Sequence, residues 1–152
     1  MDLEASLRTT AAPSAVVAHV AELDAYPKWM SLVHSATRVA DANEPTWNVE
    51  LRAKVGPFAR SKRLRMARTT FEEGDATRIV FERKEDDGRQ HAAWRLTVTV
   101  QRGGAGANDG DGDTHLVMRL HYDGRFFVSV VEAILQQNID AGRKRLGELL
   151  AG

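Results

Sequence analysis

Five histidines are the first residues to ask for acid–base or metal chemistry, because imidazole titrates near neutrality and is the commonest metal ligand. His115 and His121 share one face of a strand-like segment, but their six-residue separation puts them roughly 20 Å apart at strand rise, too far to hold one ion. Their parity is opposite to that of Leu116, Met118 and Leu120, which predicts that both point outward. His19 flanks an apolar stripe, His34 follows Trp29, and His91 lies three residues before Trp94. No H-E-x-x-H or G-x-S-x-G arrangement occurs, and with no cysteine the chain has neither a thiolate nucleophile nor a thiolate metal site. These residues predict no catalytic constellation, no metal site and no cofactor.

Two other charged segments invite a chemical reading. The acids of Asp109-Gly110-Asp111-Gly112-Asp113 alternate like the start of a calcium loop, but the sixth position is Thr114 rather than glycine and the twelfth is Leu120 rather than glutamate, so a solvated hairpin loop is expected. From Arg52 to Arg68 stand seven basic residues and no acid, in a chain whose 21 basic and 21 acidic residues balance overall. Arg52, Lys54, Arg63 and Arg65 have the parity opposite to Leu51, Val55, Leu64 and Met66, which predicts one positive outer face on a hairpin. Such a face is either solvated beside Glu50 or open to an acidic partner. Nucleic acid is not expected, because only Phe58 is near enough to stack on a base.

The elements that must position any site follow from periodicity. Leu3, Ala5 and Leu7 alternate as a first strand, and Pro13 opens a helix over Ala15 to Leu23 that Asp24-Ala25-Tyr26-Pro27 ends. A second short helical turn is expected over Lys28 to Val33. About six antiparallel strands come next, around Thr37 and Val39, then Trp47 to Val55, Arg60 to Phe71, Arg78 to Glu85, Trp94 to Val100 and Leu116 to Tyr122. Gly56-Pro57-Phe58, Glu73-Gly74-Asp75 and Asp86-Asp87-Gly88-Arg89 supply turns, and Gly103 to Asp113 a longer loop. After Gly124 the period becomes helical to about Leu150, with Phe127, Val131, Ile134, Leu135, Ala141, Gly142, Leu146 and Leu149 on one stripe and Asn138 within it. A sheet that is apolar on one face must bury that face, and this last helix is the only element large enough to cover it. The fold class is α+β.

This order resembles the START-like, or SRPBCC, superfamily. The resemblance rests on Thr9-Thr10-Ala11-Ala12-Pro13-Ser14-Ala15-Val16-Val17, on Leu23-Asp24-Ala25-Tyr26-Pro27-Lys28-Trp29 and on the final helix, and it spans Leu3 to Leu150. It is nearest to the small bacterial members described as polyketide cyclase/dehydrase-like and lipid-transport-like. It implies a helix-grip fold over residues 1–152 as a single domain: a curved antiparallel sheet of about seven strands around a long C-terminal helix, with two short helices after the first strand.

A helix laid across a curved sheet leaves a cleft, so inward apolar residues either fill a core or line a hole. The candidate ligand-binding residues are Trp47, Val49, Leu51, Val55, Leu64, Met66, Phe81, Trp94, Leu96, Met118, Tyr122, Phe127, Val131 and Ile134. Two polar residues of inward parity, Arg83 and Asn138, would either contact a carboxylate, phenol or carbonyl on a greasy ligand or be satisfied locally. The leading expectation is binding or transport of a small hydrophobic molecule, such as a lipid or an aromatic polyketide-type compound. The alternative is a cyclase/aromatase or dehydratase relaying protons through Arg83, Tyr122, Asn138 and His91, and a third reading is an interaction protein using the basic face. The longest apolar run, Phe126 to Val131, is far short of the roughly 20 residues that span a bilayer, and Met1-Asp2-Leu3-Glu4 lacks the pattern of a secretory signal. A cytoplasmic monomer or homodimer without stable membrane insertion is therefore expected.

Overall fold

The computed structural model describes residues 1–103, 114–124 and 128–152, apart from the side chains of Val55 and of residues 128–131. Seven strands form one antiparallel sheet: β1 (Asp2–Thr9), β2 (Val33–Arg38), β3 (Thr46–Val55), β4 (Phe58–Glu72), β5 (Ala76–Arg83), β6 (Trp94–Arg102) and β7 (Thr114–Tyr122). The spatial order is β1-β7-β6-β5-β4-β3-β2, so each hairpin neighbour is also a sequence neighbour and the first strand returns to pair with the last. Helix α1 (Pro13–Val20) and a 3-10 helix (Leu23–Lys28) follow β1, and α2 (Val128–Ala151) closes the chain. Because α2 packs against both β1 and β3, near opposite edges of the sheet, the sheet must curl around it. This is the seven-stranded helix-grip arrangement.

Local chemistry explains where the elements depart from the periodicity. Pro13 stands at the first position of α1, where its missing N–H costs nothing. The residues expected to end that helix, Asp24 to Pro27, themselves form the 3-10 helix, and the segment after Trp29 is a turn leading into β2. Pro27 fixes a backbone angle that a short 3-10 turn accepts, and the Tyr26 carbonyl then accepts hydrogen bonds from the backbone N–H groups of both Trp29 and Met30. The β3–β4 turn shrinks to two residues, since Val55 pairs directly with Phe58. Gly56 sits there at φ +62°, the left-handed angle that two-residue hairpins require of their first central residue.

β4 carries a bulge. Arg68 faces Phe81 but Thr70 already faces Val80, so Thr69 is an extra residue. The shift turns Phe71, opposite Ile79, toward the inner face. Among the described side chains of α2 the buried positions are Leu135, Ile139, Gly142 and Leu146. Leu149, expected on the stripe, is 42% exposed, and Leu150 packs on the core in its place. Among the described residues, no helix is long and apolar enough to cross a membrane. The Asp109–Asp113 calcium reading and Phe127 lie outside the described residues.

Candidate functional site

The concave face is not filled along its whole length. At one end α1 and the 3-10 helix press Val16, Val20, Tyr26 and Trp29 into a core with Trp47, Ile79, Phe81 and Val98. Toward the other end an apolar cavity of about 90 Å³ remains between the sheet, the 3-10 segment and α2. For scale, an engineered apolar cavity of about 150 Å³ stays dry and takes up benzene. A more open space of about 200 Å³ lies beside Ile134 and Leu135 of α2, and Leu32, Leu51 and Trp94 line both.

Of the residues expected to bind a ligand, Leu51, Leu64, Met66, Trp94, Leu96 and Met118 line the cavity, as does Val49. Tyr122 and Ile134 line the outer space. Strand register brings them together: Trp94 faces Tyr122, and Val98 faces Met118, across the β6–β7 pair. The Trp94 and Tyr122 rings lie 4.5 Å apart.

Trp47 and Phe81 do not line the cavity. Both are fully buried, with ring centroids 5.8 Å apart, and Trp47 Nε1 donates to Asp24 Oδ1 at 2.8 Å. Arg83 reaches neither space: its guanidinium donates to the Ala92 carbonyl and to His91 Nδ1, both at 3.3 Å, while its Nε lies 3.5 Å from Glu85. His91 Nε2 in turn donates to Asp87 at 2.8 Å, and the Arg89 backbone N–H, with that imidazole, holds the Asp87 carboxyl below its usual range. Asn138 turns to its own helix, donating to the Ile134 carbonyl at 2.8 Å, and so is satisfied locally. The side chains of Val55 and Val131 are outside the description, as is Phe127.

Several lining residues carried no such expectation. Leu3 and Ala5 come from β1, Leu23 and Tyr26 from the 3-10 helix, Met30 from the turn after it, Leu120 from β7 and Ile139 from α2. Leu120 shares parity with Met118, and Leu3 and Ala5 form the apolar face of β1, so parity carried the signal for all three. Three of the four methionines, Met30, Met66 and Met118, line the cavity. Unbranched thioethers adapt to irregular space, so these walls can reshape around an occupant. Tyr26 turns its hydroxyl away, to the Val20 carbonyl at 2.9 Å, and burial pushes its ionisation far upward.

At the mouth the lining changes character. Arg60 and Lys62 have the inward parity of Leu64 and Met66 and border the outer space with Ser61 and with Arg52, which was expected on the outer face. On the opposite face of the hairpin, Arg63 lies 3.5 Å from Glu50, and Arg65 donates to the Lys84 carbonyl at 3.0 Å and lies 3.9 Å from Asp86. That outer face is thus partly neutralised. The other histidines do not converge, and among the described residues no three potential ligands come together to hold a metal.

Comparison with known proteins agrees with this architecture. A START superfamily protein from Mycobacterium smegmatis is 14% identical, with 99% of this chain and 97% of that chain superposed at a TM-score of 0.71. A protein from Thermus thermophilus is 16% identical over 99% of this chain and 97% of that one, at a TM-score of 0.68. A fragment of a STAR-related lipid transfer protein from Xanthomonas axonopodis is 13% identical over 99% and 86%, at 0.67. At such identities the likeness is one of fold. No curated protein matches the chain. The family model described as polyketide cyclase/dehydrase and lipid transport matches residues 2–151, and the chain therefore belongs to that family, within the START-like (SRPBCC) superfamily.

Proposed function

We propose that this chain, as a single cytoplasmic domain, binds and carries a small hydrophobic molecule, a lipid or an aromatic polyketide-type compound, in the cavity between sheet and α2. The observation that supports this most is the cavity itself. Its lining is apolar, with Tyr26 directing its hydroxyl elsewhere, and packed interiors ordinarily leave few voids larger than a water molecule. Exclusion of water from such a surface stabilises an apolar guest by roughly 25 cal/mol per Å² buried. The family description and the fold neighbours support the same reading. A proton-relay role finds less support, since Arg83, His91 and Asn138 are each engaged by neighbouring groups.

Titration with 1-N-phenylnaphthylamine, a neutral apolar fluorophore, tests the reading. Saturable enhancement is expected, weakened at least tenfold by Ala5→Leu, which places bulk in the cavity from β1. Native mass spectrometry of the freshly purified protein should show an adduct of a few hundred daltons. Absence of saturable binding together with a bare mass would overturn the proposal.

A further inference from the structure

The polarity of the site runs in one direction, from an apolar interior to a cationic mouth. Arg60 and Lys62 share the strand parity of the cavity-lining Leu64 and Met66 and stand four and two residues before Leu64 in β4. Neither makes an ion pair or hydrogen bond among the described residues. Glu85, whose charge acts on Lys62, is committed elsewhere: Oε1 accepts the Arg65 backbone N–H at 2.9 Å and Oε2 lies 3.5 Å from Arg83. Partial burial of the ammonium and then the Arg83 charge lower its affinity for a proton, and Glu85 offsets this only in part. Trp94, 7% exposed and bordering both spaces, has a buried indole N–H with no acceptor among the described residues. An unsatisfied buried donor is costly, and a ligand oxygen that reaches it removes that cost.

From this gradient we infer that the ligand is an amphiphile with an anionic head: an aliphatic body lies among the leucines and methionines, and a carboxylate or phosphate at the mouth is held by Arg60 and Lys62. Guanidinium and ammonium donors form their strongest hydrogen bonds with such oxyanions. An aliphatic body suits a lining shaped by Met30, Met66 and Met118, which can follow a bent chain. The inference rests on the binding reading above and adds to it the charge and position of the head group.

The experiment compares dodecanoate, dodecyl phosphate and dodecan-1-ol, one chain length with three heads, by calorimetric titration below their micellar concentrations. At least one anionic ligand should bind about tenfold tighter than the alcohol, which corresponds to about 1.4 kcal/mol, and the tighter of the two identifies the head as a free acid or a phosphate ester. In Arg60→Gln/Lys62→Gln the preference should vanish while dodecan-1-ol affinity stays within twofold. Both residues are exposed, so the denaturation midpoint should hold, and raising the salt concentration should shrink the preference in the wild type alone. Equal affinity for all three heads would overturn the charged-head inference and leave the apolar cavity reading standing. No binding of any of them while 1-N-phenylnaphthylamine still binds would overturn the amphiphile inference alone, and loss of that binding as well would overturn both. A preference that survives the double substitution would remove Arg60 and Lys62 from the site.

Discussion

The two ends of the concave face are built from the same inward alternation of apolar residues, yet one is solid and the other hollow. At the solid end Tyr26, Trp29, Trp47 and Phe81 meet with ring centroids 4.7 to 6.2 Å apart, in tilted and edge-on contacts. Each ring that carries a polar atom is fixed by it. Trp29 Nε1 donates to the His19 carbonyl at 3.1 Å, Trp47 to Asp24 and Tyr26 to Val20. At the hollow end Leu64, Met66, Leu96 and Met118 have apolar side chains with no directional bond to make, and the indole N–H of Trp94 has no acceptor among the described residues. Large rigid rings held by hydrogen bonds fill volume in a single arrangement, whereas flexible aliphatic walls leave room. Tyr26 stands between the two regimes, part of the aromatic cluster and a wall of the cavity.

The sharpest way to break this comparison is to truncate one residue at each end. Phe81→Ala removes a fully buried ring that touches Trp47 and Tyr26 and should destabilise by about 3–5 kcal/mol in urea denaturation. Leu64→Ala should cost about 2 kcal/mol, the low end for such a change, because a side chain already facing empty space gives up fewer contacts. Equal losses would mean that both ends are packed alike.

What separates the two ends was only half legible in the sequence. Alternation placed Trp47, Leu51, Leu64, Phe81, Trp94 and Met118 on one face of the sheet, and the register agrees. Parity states which way a side chain points but not whether a neighbour arrives to meet it. Trp47 and Phe81 are core because the 3-10 helix brings Asp24 and Tyr26 over them, and that helix was expected a few residues later, after Pro27. Asn138 sits within the α2 stripe, yet its amide reaches its own helix one turn back. Arg60 and Lys62 disclosed their inward parity all along, hidden only by the charge run that contains them.

A second contrast concerns two arginines of inward parity. Arg68 at the solid end donates to the Ala21 carbonyl at 2.6 Å, just past the end of α1, and its guanidinium lies 5.8 Å from the Trp47 ring and 4.7 Å from the Phe71 ring. A cation at a helix C-terminus meets unpaired carbonyls there. Arg68→Ala should cost about 1.5–3 kcal/mol, the range for hydrogen bonds to charged groups. Arg60→Ala at the mouth should leave the denaturation midpoint nearly unchanged, because that residue is exposed and without a partner among the described residues. Matching losses would show that the mouth arginine is structural.

Gly142 joins the ends through α2. A β-carbon there would come within 2.7 Å of the Met30 Cε atom and 3.2 Å of the Trp29 carbonyl oxygen. Gly142→Ala gains roughly 1 kcal/mol of helix propensity, and the flexible Met30 end can yield toward the cavity that it lines. The expected outcome is a stability within about 1 kcal/mol of the wild type, with weaker 1-N-phenylnaphthylamine binding as Met30 takes up the space. A large stability loss with intact binding would instead place the strain on the Trp29 backbone and the solid end.

The smallest effect belongs to the β1–β7 seam at the edge of the sheet beside the cavity. Asp2 accepts a hydrogen bond from His121 Nδ1 at 2.8 Å across that seam, and this bond, countered only in part by burial, holds the Asp2 carboxyl below its ordinary 3.8. A depressed carboxylate stabilises the fold at pH values above its unfolded value. That contribution fades as the pH falls from about 3.8 through the lower folded value. Asp2→Asn should therefore lower the urea midpoint slightly at pH 5 and shrink the wild type's advantage by pH 2.5. An advantage that persists undiminished at pH 2.5 would mean that Asp2 acts through packing at the seam and not through its charge.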